Sequence, residues 1–292
     1  ENLKNLKLMI SFFILEIRYI CEMNKSSHFI ISIFLIIILF SCSEYRKILK
    51  STGYQKKLDA AMEYYEEEKY FKASTLFKDI KPLVKGSEES EIVDFYFAYS
   101  LYNLEQYETS AKYFKSFIEL FSRSERVIEA EYLYAYSLYK TSPNSNLDQS
   151  TTVEAINAIQ NFINKYPYND FSKEANEIID ELQVKLETKN FENAQQYFKT
   201  RNYKSAIIAL ENFKKDFPDS KFNDQGMFLK ILSQYNIASN SFQNLQEDRF
   251  RDLIDLYLDF VDEYPSSTYR IEAEKMYLES LNILSNFATQ KK

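Results

Sequence analysis

Apolar residues recur every three to four positions through most of this chain, the spacing that places them on one face of an α-helix. The 292 residues include three Gly and five Pro, far fewer turn residues than an all-β protein of this size needs. Between Phe171 and Tyr203 there is no Gly or Pro, which predicts one long helix or two with a slight break. A last amphipathic helix is predicted from about Tyr269 to Phe287.

The pattern also repeats at a fixed offset. The segment Ala98–Tyr102 recurs unchanged as Ala135–Tyr139, 37 residues later. An aromatic residue followed by proline closes three amphipathic runs, at Tyr166-Pro167, Phe217-Pro218 and Tyr264-Pro265. Self-similarity of this period is typical of repeat proteins that stack pairs of helices.

The spacing resembles the tetratricopeptide repeat, in which small and large residues alternate on two antiparallel helices. The most regular copy consists of Ala194, Tyr197, Tyr203, Ala206, Leu210, Phe213 and Pro218. The resemblance implies an all-α fold, a right-handed α-solenoid of about five tetratricopeptide-type helix pairs plus a C-terminal capping helix. Ala98, Ala135 and Ala206 are expected to be buried where helices meet.

The N-terminal part has the pattern of an export signal. Met23 followed by Lys25 opens a short basic segment, and Phe29–Phe40 is apolar except for one serine. Twelve residues suit the apolar region of a signal peptide and are too few to span a bilayer comfortably. The run ends at Leu39-Phe40-Ser41-Cys42, which resembles the lipobox of bacterial lipoproteins and implies a lipid on Cys42. An ordinary cleaved signal with a chance cysteine is the alternative.

These patterns divide the chain into predicted segments. Residues 1–22 are expected to be an over-extended or non-native N-terminus, because Met23 makes the better start. The signal peptide covers 23–41, and a lipid-anchored tether covers 42–55. Repeats one to three cover 56–170, a long connecting helix covers 171–200, and the C-terminal repeats with the capping helix cover 201–288.

Composition argues against catalysis and against nucleic acid. His28 is the single histidine of the sequence and lies in the predicted signal, so the mature chain lacks the commonest general base and metal ligand. Cys21 lies upstream of Cys42, which leaves no thiol nucleophile, and the glycines are scattered singly. The net charge of −7 is opposite to that of a general phosphate-binding surface. We therefore expect no enzyme, no metal and no cofactor.

A stripe of aromatic residues is the strongest candidate for a binding surface. In the tetratricopeptide template, the first helix of each repeat lines the concave groove, and the spacing 95, 99, 102 follows one helical face. Tyrosine offers a large contact area at a low entropic cost. The alternative is that these rings pack within the solenoid. The predicted groove residues are Tyr65, Phe95, Tyr99, Tyr102, Tyr132, Tyr136 and Tyr139.

Several strings between the repeats are similar to those of the BamD lipoproteins of the Bacteroidetes lineage. They are Cys42–Tyr45, Ile48–Thr52, Ser142–Asn144, Leu147–Gln149, Phe162–Pro167, Tyr203–Leu210 and Phe217–Ser220. The resemblance implies a subunit of the β-barrel assembly machinery, anchored in the outer membrane and facing the periplasm. Its N-terminal repeats would recognise unfolded outer-membrane proteins, including their C-terminal aromatic strand. Its C-terminal repeats would dock a periplasmic domain of BamA, the barrel subunit.

Two other functions fit a periplasmic repeat protein. One is a scaffold that coordinates the cell envelope or division, which would have a similar sequence. The other is a glycan-uptake lipoprotein, but those typically carry large insertions and exposed Trp, and this chain has no Trp.

The lipobox generates a first prediction. Cys42→Ser should release the mature protein from the membrane into the soluble periplasmic fraction, because the acyl anchor supplies apolar area that the chain does not otherwise offer to the bilayer. Fractionation after salt and carbonate washing measures this release. Membrane association that is unchanged by the substitution would contradict the lipid on Cys42.

Overall fold

The computed structural model describes residues 44–290, and these residues form twelve helices and no strand. The first helices are α1 (44–49), α2 (Tyr54–Glu66), α3 (Tyr70–Ile80), α4 (Glu89–Asn103), α5 (Tyr107–Leu120) and α6 (Val127–Thr141). They are followed by α7 (Ser150–Lys165), α8 (Ser172–Lys199), α9 (Tyr203–Asp216), α10 (Asn223–Ser239), α11 (Gln243–Glu263) and α12 (Arg270–Gln290). The all-helical fold is as predicted. Cys42, the predicted signal 23–41 and residues 1–22 lie outside the described residues.

The chain divides into two compact units, residues 1–127 and 128–292. The described part of the first unit holds α1 to α5, and the second unit holds α6 to α12, apart from the first residue of α6. The predicted block of N-terminal repeats, 56–170, therefore spans parts of both units. Within each unit, helices that follow one another along the chain are in contact, as expected of helix-pair repeats; α6 and α7 meet through the rings of Tyr132 and Phe162.

Small residues lie where the helices of a pair come closest. Ala98, Ala135 and Ala206 are buried, which confirms the expectation from the repeat pattern. In the first pair of the chain, Ala61 of α2 and Ala73 of α3 are buried in one core with larger apolar side chains around them. Between α4 and α5, the buried Ser110 hydroxyl donates a hydrogen bond of 3.0 Å to the carbonyl of Ala98. Short side chains allow this backbone approach, and Leu and Phe fill the space beside it.

One tight turn recurs inside the pairs. In the turn from α2 to α3, the Glu68 N–H donates to the Tyr65 carbonyl and the Lys69 N–H donates to the Tyr64 carbonyl. This is a Schellman motif, which satisfies carbonyl groups at a helix end and requires a left-handed residue. Three turns share this pattern, and none of them has glycine at the left-handed position. The residues at this position are Glu68, Glu105 and Arg201, with φ of 59°, 58° and 62°.

Aromatic residues end the second helix of several pairs. The N–H of Tyr166 caps α7 by donating to the carbonyl of Phe162, and their rings lie 5.4 Å apart. The following proline has no N–H and restricts the residue before it, so the helix stops there. The same cap and ring contact occur at Phe217 in α9 and at Tyr264 in α11.

The structure adds detail to the predicted organisation in three segments. The predicted tether 42–55 contains α1, whose Tyr45, Ile48 and Leu49 pack against the core of the first unit, so much of this segment is folded onto the body. The stretch without Gly or Pro forms a single helix of 28 residues, α8. The last helix, α12, buries Ala273 and leaves Ile271 on its outer side 71% exposed.

The buried alanines generate a second prediction. Ala206→Leu should lower the free energy of unfolding by about 1–3 kcal/mol, because the added atoms overpack a site that has no exposed surface. Urea denaturation followed by circular dichroism measures the change. Ala288→Leu, on an exposed position of α12, is the matched control and should change stability little. Equal effects of the two substitutions would contradict the proposed close packing at Ala206.

Candidate functional site

A group of tyrosines occupies one side of the first unit. It consists of half-buried residues from four helices, which we call the N-terminal tyrosine cluster: Tyr65 of α2, Tyr70 of α3, Tyr96, Tyr99 and Tyr102 of α4, and Tyr107 of α5. The repeat geometry brings them together, because Tyr65 lies in the last turn of α2, beside the turn into α3, and α4 packs against α3. Part of each ring stays accessible to solvent.

The rings of this cluster form a connected network. Tyr65 is at its centre and makes edge-to-face contacts with Tyr96 at 4.8 Å, Tyr70 at 5.5 Å and Tyr99 at 5.8 Å between ring centroids. The network continues from Tyr99 to Tyr102 at 5.8 Å and then to Tyr107 at 5.6 Å. Edge-to-face geometry is the favourable arrangement of aromatic pairs. The rings therefore hold one another in place before any ligand arrives.

Phe95 lies beneath this surface, and its prediction as a groove residue is wrong. Its side chain is 2% exposed and contacts Phe114 and Phe117 of α5 at 6.0 and 5.4 Å. A contact of 5.7 Å with Tyr99 joins it to the cluster above. Phe95 thus packs α4 against α5 and supports the surface from below.

A second, smaller group of rings lies in the second unit. Tyr136 and Tyr139 of α6 are half-buried and contact each other at 5.6 Å. Tyr132 is 6% exposed, stacked on Phe171 at 4.3 Å and packed near Phe162, so its prediction as a groove residue is also wrong. We call Tyr136 and Tyr139 the α6 tyrosine pair.

Burial and hydrogen bonding raise the pKa of two of these phenols, Tyr65 and Tyr139. Burial raises the pKa of Tyr65 well above its usual value, and the neighbouring Tyr99 raises it further, while a hydrogen bond with Asn103 acts in the opposite direction. The hydroxyl of Tyr139 donates to a Glu181 carboxylate oxygen at 2.8 Å, and this bond, together with burial, raises the pKa of Tyr139 to about 12. Both of these rings are therefore uncharged near neutral pH, which suits apolar and aromatic ligands.

Sequence reasoning missed three members of the N-terminal cluster. Tyr70 and Tyr107 each begin the second helix of a pair, and the repeat template assigned those positions to the packing of the pair. Tyr96 is one position away from the predicted stripe, yet its ring turns towards Tyr65. The contacts of Tyr70 and Tyr107 join different helices, which the periodicity within one helix does not reveal.

A separate cavity of about 720 Å³ lies in the first unit, on another side of α4. Its walls include Phe97, Tyr113 and the ammonium group of Lys81, which lies 4.8 Å from the Tyr113 ring centroid. Lys81 also forms a 2.8 Å ion pair with the buried Asp94. This ion pair offsets the charge of Lys81, while Lys78 and Lys85 also line the cavity.

The described residues offer no site of metal chemistry. Between residues 44 and 290, no three Asp, Glu, Cys or His side chains come close enough together to hold a metal ion. None of the helices described is both long and apolar enough to cross a bilayer.

Comparison with known proteins identifies a family model that matches this chain. A family model described as "YfiO: Outer membrane lipoprotein" matches residues 53–208 and 186–288. No curated protein matches the chain. Among solved structures, the TPR2AB-domain:pHSP90-complex of yeast Sti1 is similar to this chain at 13% sequence identity and a TM-score of 0.39, over 81% of this chain and 86% of that chain.

Proposed function

Because the chain belongs to the YfiO family of outer membrane lipoproteins, we propose that it is a non-enzymatic subunit of the outer-membrane β-barrel assembly machinery. In this proposal a lipid on Cys42 anchors it in the outer membrane, with its helices in the periplasm. It is a BamD-type protein, similar to those of the Bacteroidetes lineage, and it binds unfolded outer-membrane proteins before they are inserted.

The observation that carries this proposal is the N-terminal tyrosine cluster. Its rings are pre-positioned by mutual contacts and are partly accessible, so binding a client costs little ordering of side chains. Neutral phenols suit the aromatic and aliphatic side chains of a strand destined for a lipid-facing barrel wall. Aromatic residues of this kind commonly supply most of the binding energy of an interface.

The spacing of the rings also fits an extended client. Side chains on one face of a strand repeat at about 6.8 Å. Ring centroids along the path Tyr65, Tyr99, Tyr102 are 5.8 Å apart at each step. In the proposed complex, outward-facing residues of the strand contact these tyrosines.

The remaining partners in this proposal follow from the family resemblance. The C-terminal repeats dock a periplasmic domain of a BamA-like barrel subunit, which leaves the N-terminal cluster available for clients. The outer side of α12, with Ile271 and Leu278 exposed, offers apolar area in that half of the chain. No nucleic acid and no cofactor take part.

Client binding generates the third prediction. Tyr99→Ala and Tyr136→Ala should each weaken binding of a client peptide by about 1–2 kcal/mol, as expected when an aromatic anchor is removed. The probe is a synthetic peptide with the sequence of an aromatic terminal strand of an outer-membrane barrel protein, measured by isothermal titration calorimetry. Tyr99→Phe keeps the ring and should bind nearly as the parent does.

Tyr168→Ala is the matched control, because this tyrosine is 99% exposed and lies outside both groups of rings. It should leave peptide binding unchanged. Docking to the barrel subunit should survive Tyr99→Ala and Tyr136→Ala. Intact peptide binding together with lost docking would reverse the assignment of the two halves.

A further inference from the structure

The short helix α1 has two faces of different chemistry. Tyr45, Ile48 and Leu49 pack against the core of the first unit, and Tyr45 contacts Tyr64 edge-to-face at 5.8 Å. On the opposite side, three basic side chains are exposed within and directly after the helix. They are Arg46, Lys47 and Lys50. Positions 46, 47 and 50 share one helical face, since residues three and four apart are neighbours on a helix.

The charge of this segment differs from that of the rest of the chain. Residues 44–57 contain five basic residues and one acidic residue, whereas residues 58–292 contain 27 basic and 39 acidic residues. Lys57 is paired with Asp79, and Lys56 adds a further exposed cation close to the start of α2. The surface at α1 is therefore basic, although the rest of the chain is acidic.

Acidic residues lie near the body-facing side of α1. Glu63 and Glu67 both act electrostatically on Tyr64, the residue that Tyr45 contacts. Lys72 lies on this side too, 5.5 Å from the Tyr45 ring centroid and 5.0 Å from that of Tyr64. The three cations of the outer face lie on the side of α1 opposite to Tyr45 and Tyr64, and the exposed Glu44 is the acidic residue of α1 itself.

From this arrangement we infer that the outer face of α1 docks on the anionic phospholipid headgroups of the membrane in which the protein is anchored. The inference rests on the proposed lipid at Cys42. Two Cα steps of about 3.8 Å separate Cys42 from residue 44, so α1 begins within about 8 Å of the anchor. That distance is about one Debye length at physiological salt, close enough for the headgroup charge to act on the three cations.

The consequence is a fixed orientation. A lipid on a flexible tether would let the body move freely, but α1 is packed onto the first unit through three apolar side chains. Docking through Arg46, Lys47 and Lys50 adds a second, electrostatic contact to the acyl anchor, and stable membrane attachment generally needs two such signals. The first unit, with its N-terminal tyrosine cluster, is then held beside the bilayer surface.

Vesicle binding without the lipid tests this inference directly. The protein is residues 42–292 with Cys42→Ser, which contains every helix described. Vesicles of phosphatidylcholine with about one third phosphatidylglycerol should bind it, and pure phosphatidylcholine vesicles should not. Replacing Arg46, Lys47 and Lys50 by Gln should lower the partition coefficient about 100-fold, at about fivefold for each cation near an anionic surface. Raising the salt concentration should remove the binding of the parent.

The matched control replaces three exposed lysines of the second unit by Gln: Lys173, Lys199 and Lys204. It removes the same charge and should bind anionic vesicles as the parent does. Equal losses in the two triple variants, or a parent that ignores anionic vesicles, would overturn the inference. Because no lipid is attached in this assay, its result is independent of whether Cys42 is acylated in cells, which membrane fractionation decides separately.

Discussion

Close approach of paired helices at small residues is the constraint on which the rest of this structure depends. Ala98 and Ser110 let α4 and α5 meet so closely that the serine hydroxyl reaches the alanine carbonyl of the other helix. Ala61 and Ala73 are buried in the same way between α2 and α3. A larger side chain at such a contact would push the helices apart, since protein interiors have little spare volume.

This close contact determines the roles of the aromatic residues. Once alanine and serine line the contact, large side chains pack on either side of it, and α4 directs some rings inward and others outward. Phe95 fills the space against α5, while Tyr99, one helical turn later, rests on Phe95 and stays half-exposed. The same relation holds on α6 between the buried Tyr132 and the half-buried Tyr136. Each group of tyrosines therefore has a floor that belongs to the core, and in the proposed function stability and client binding depend on the same rings.

Much of this could be predicted from sequence, because the repeat offset identifies positions that share an environment. The burial of Ala98, Ala135 and Ala206, the all-helical fold and the aromatic-proline helix ends were predicted from the spacing together with the resemblance to the tetratricopeptide repeat. The burial of individual rings could not be predicted, because Phe95 and Tyr99 lie on the same helical stripe. They differ in how much of each side chain the neighbouring helix covers. The turns at Glu68, Glu105 and Arg201 lack the glycine that usually marks a left-handed residue, and α1 is too short to give a clear periodic signal.

Site-specific photo-crosslinking in living cells tests the central claim most directly, because it reports contact with a client without altering the rest of the surface. A photoreactive phenylalanine analogue would replace Tyr102 in the N-terminal tyrosine cluster, Tyr113 in the separate cavity, or the exposed Tyr168. Crosslinks to newly exported outer-membrane barrel proteins are expected at position 102, and few are expected at positions 113 and 168. Crosslinks to barrel proteins at position 113 with none at position 102 would contradict the proposed role of the tyrosines.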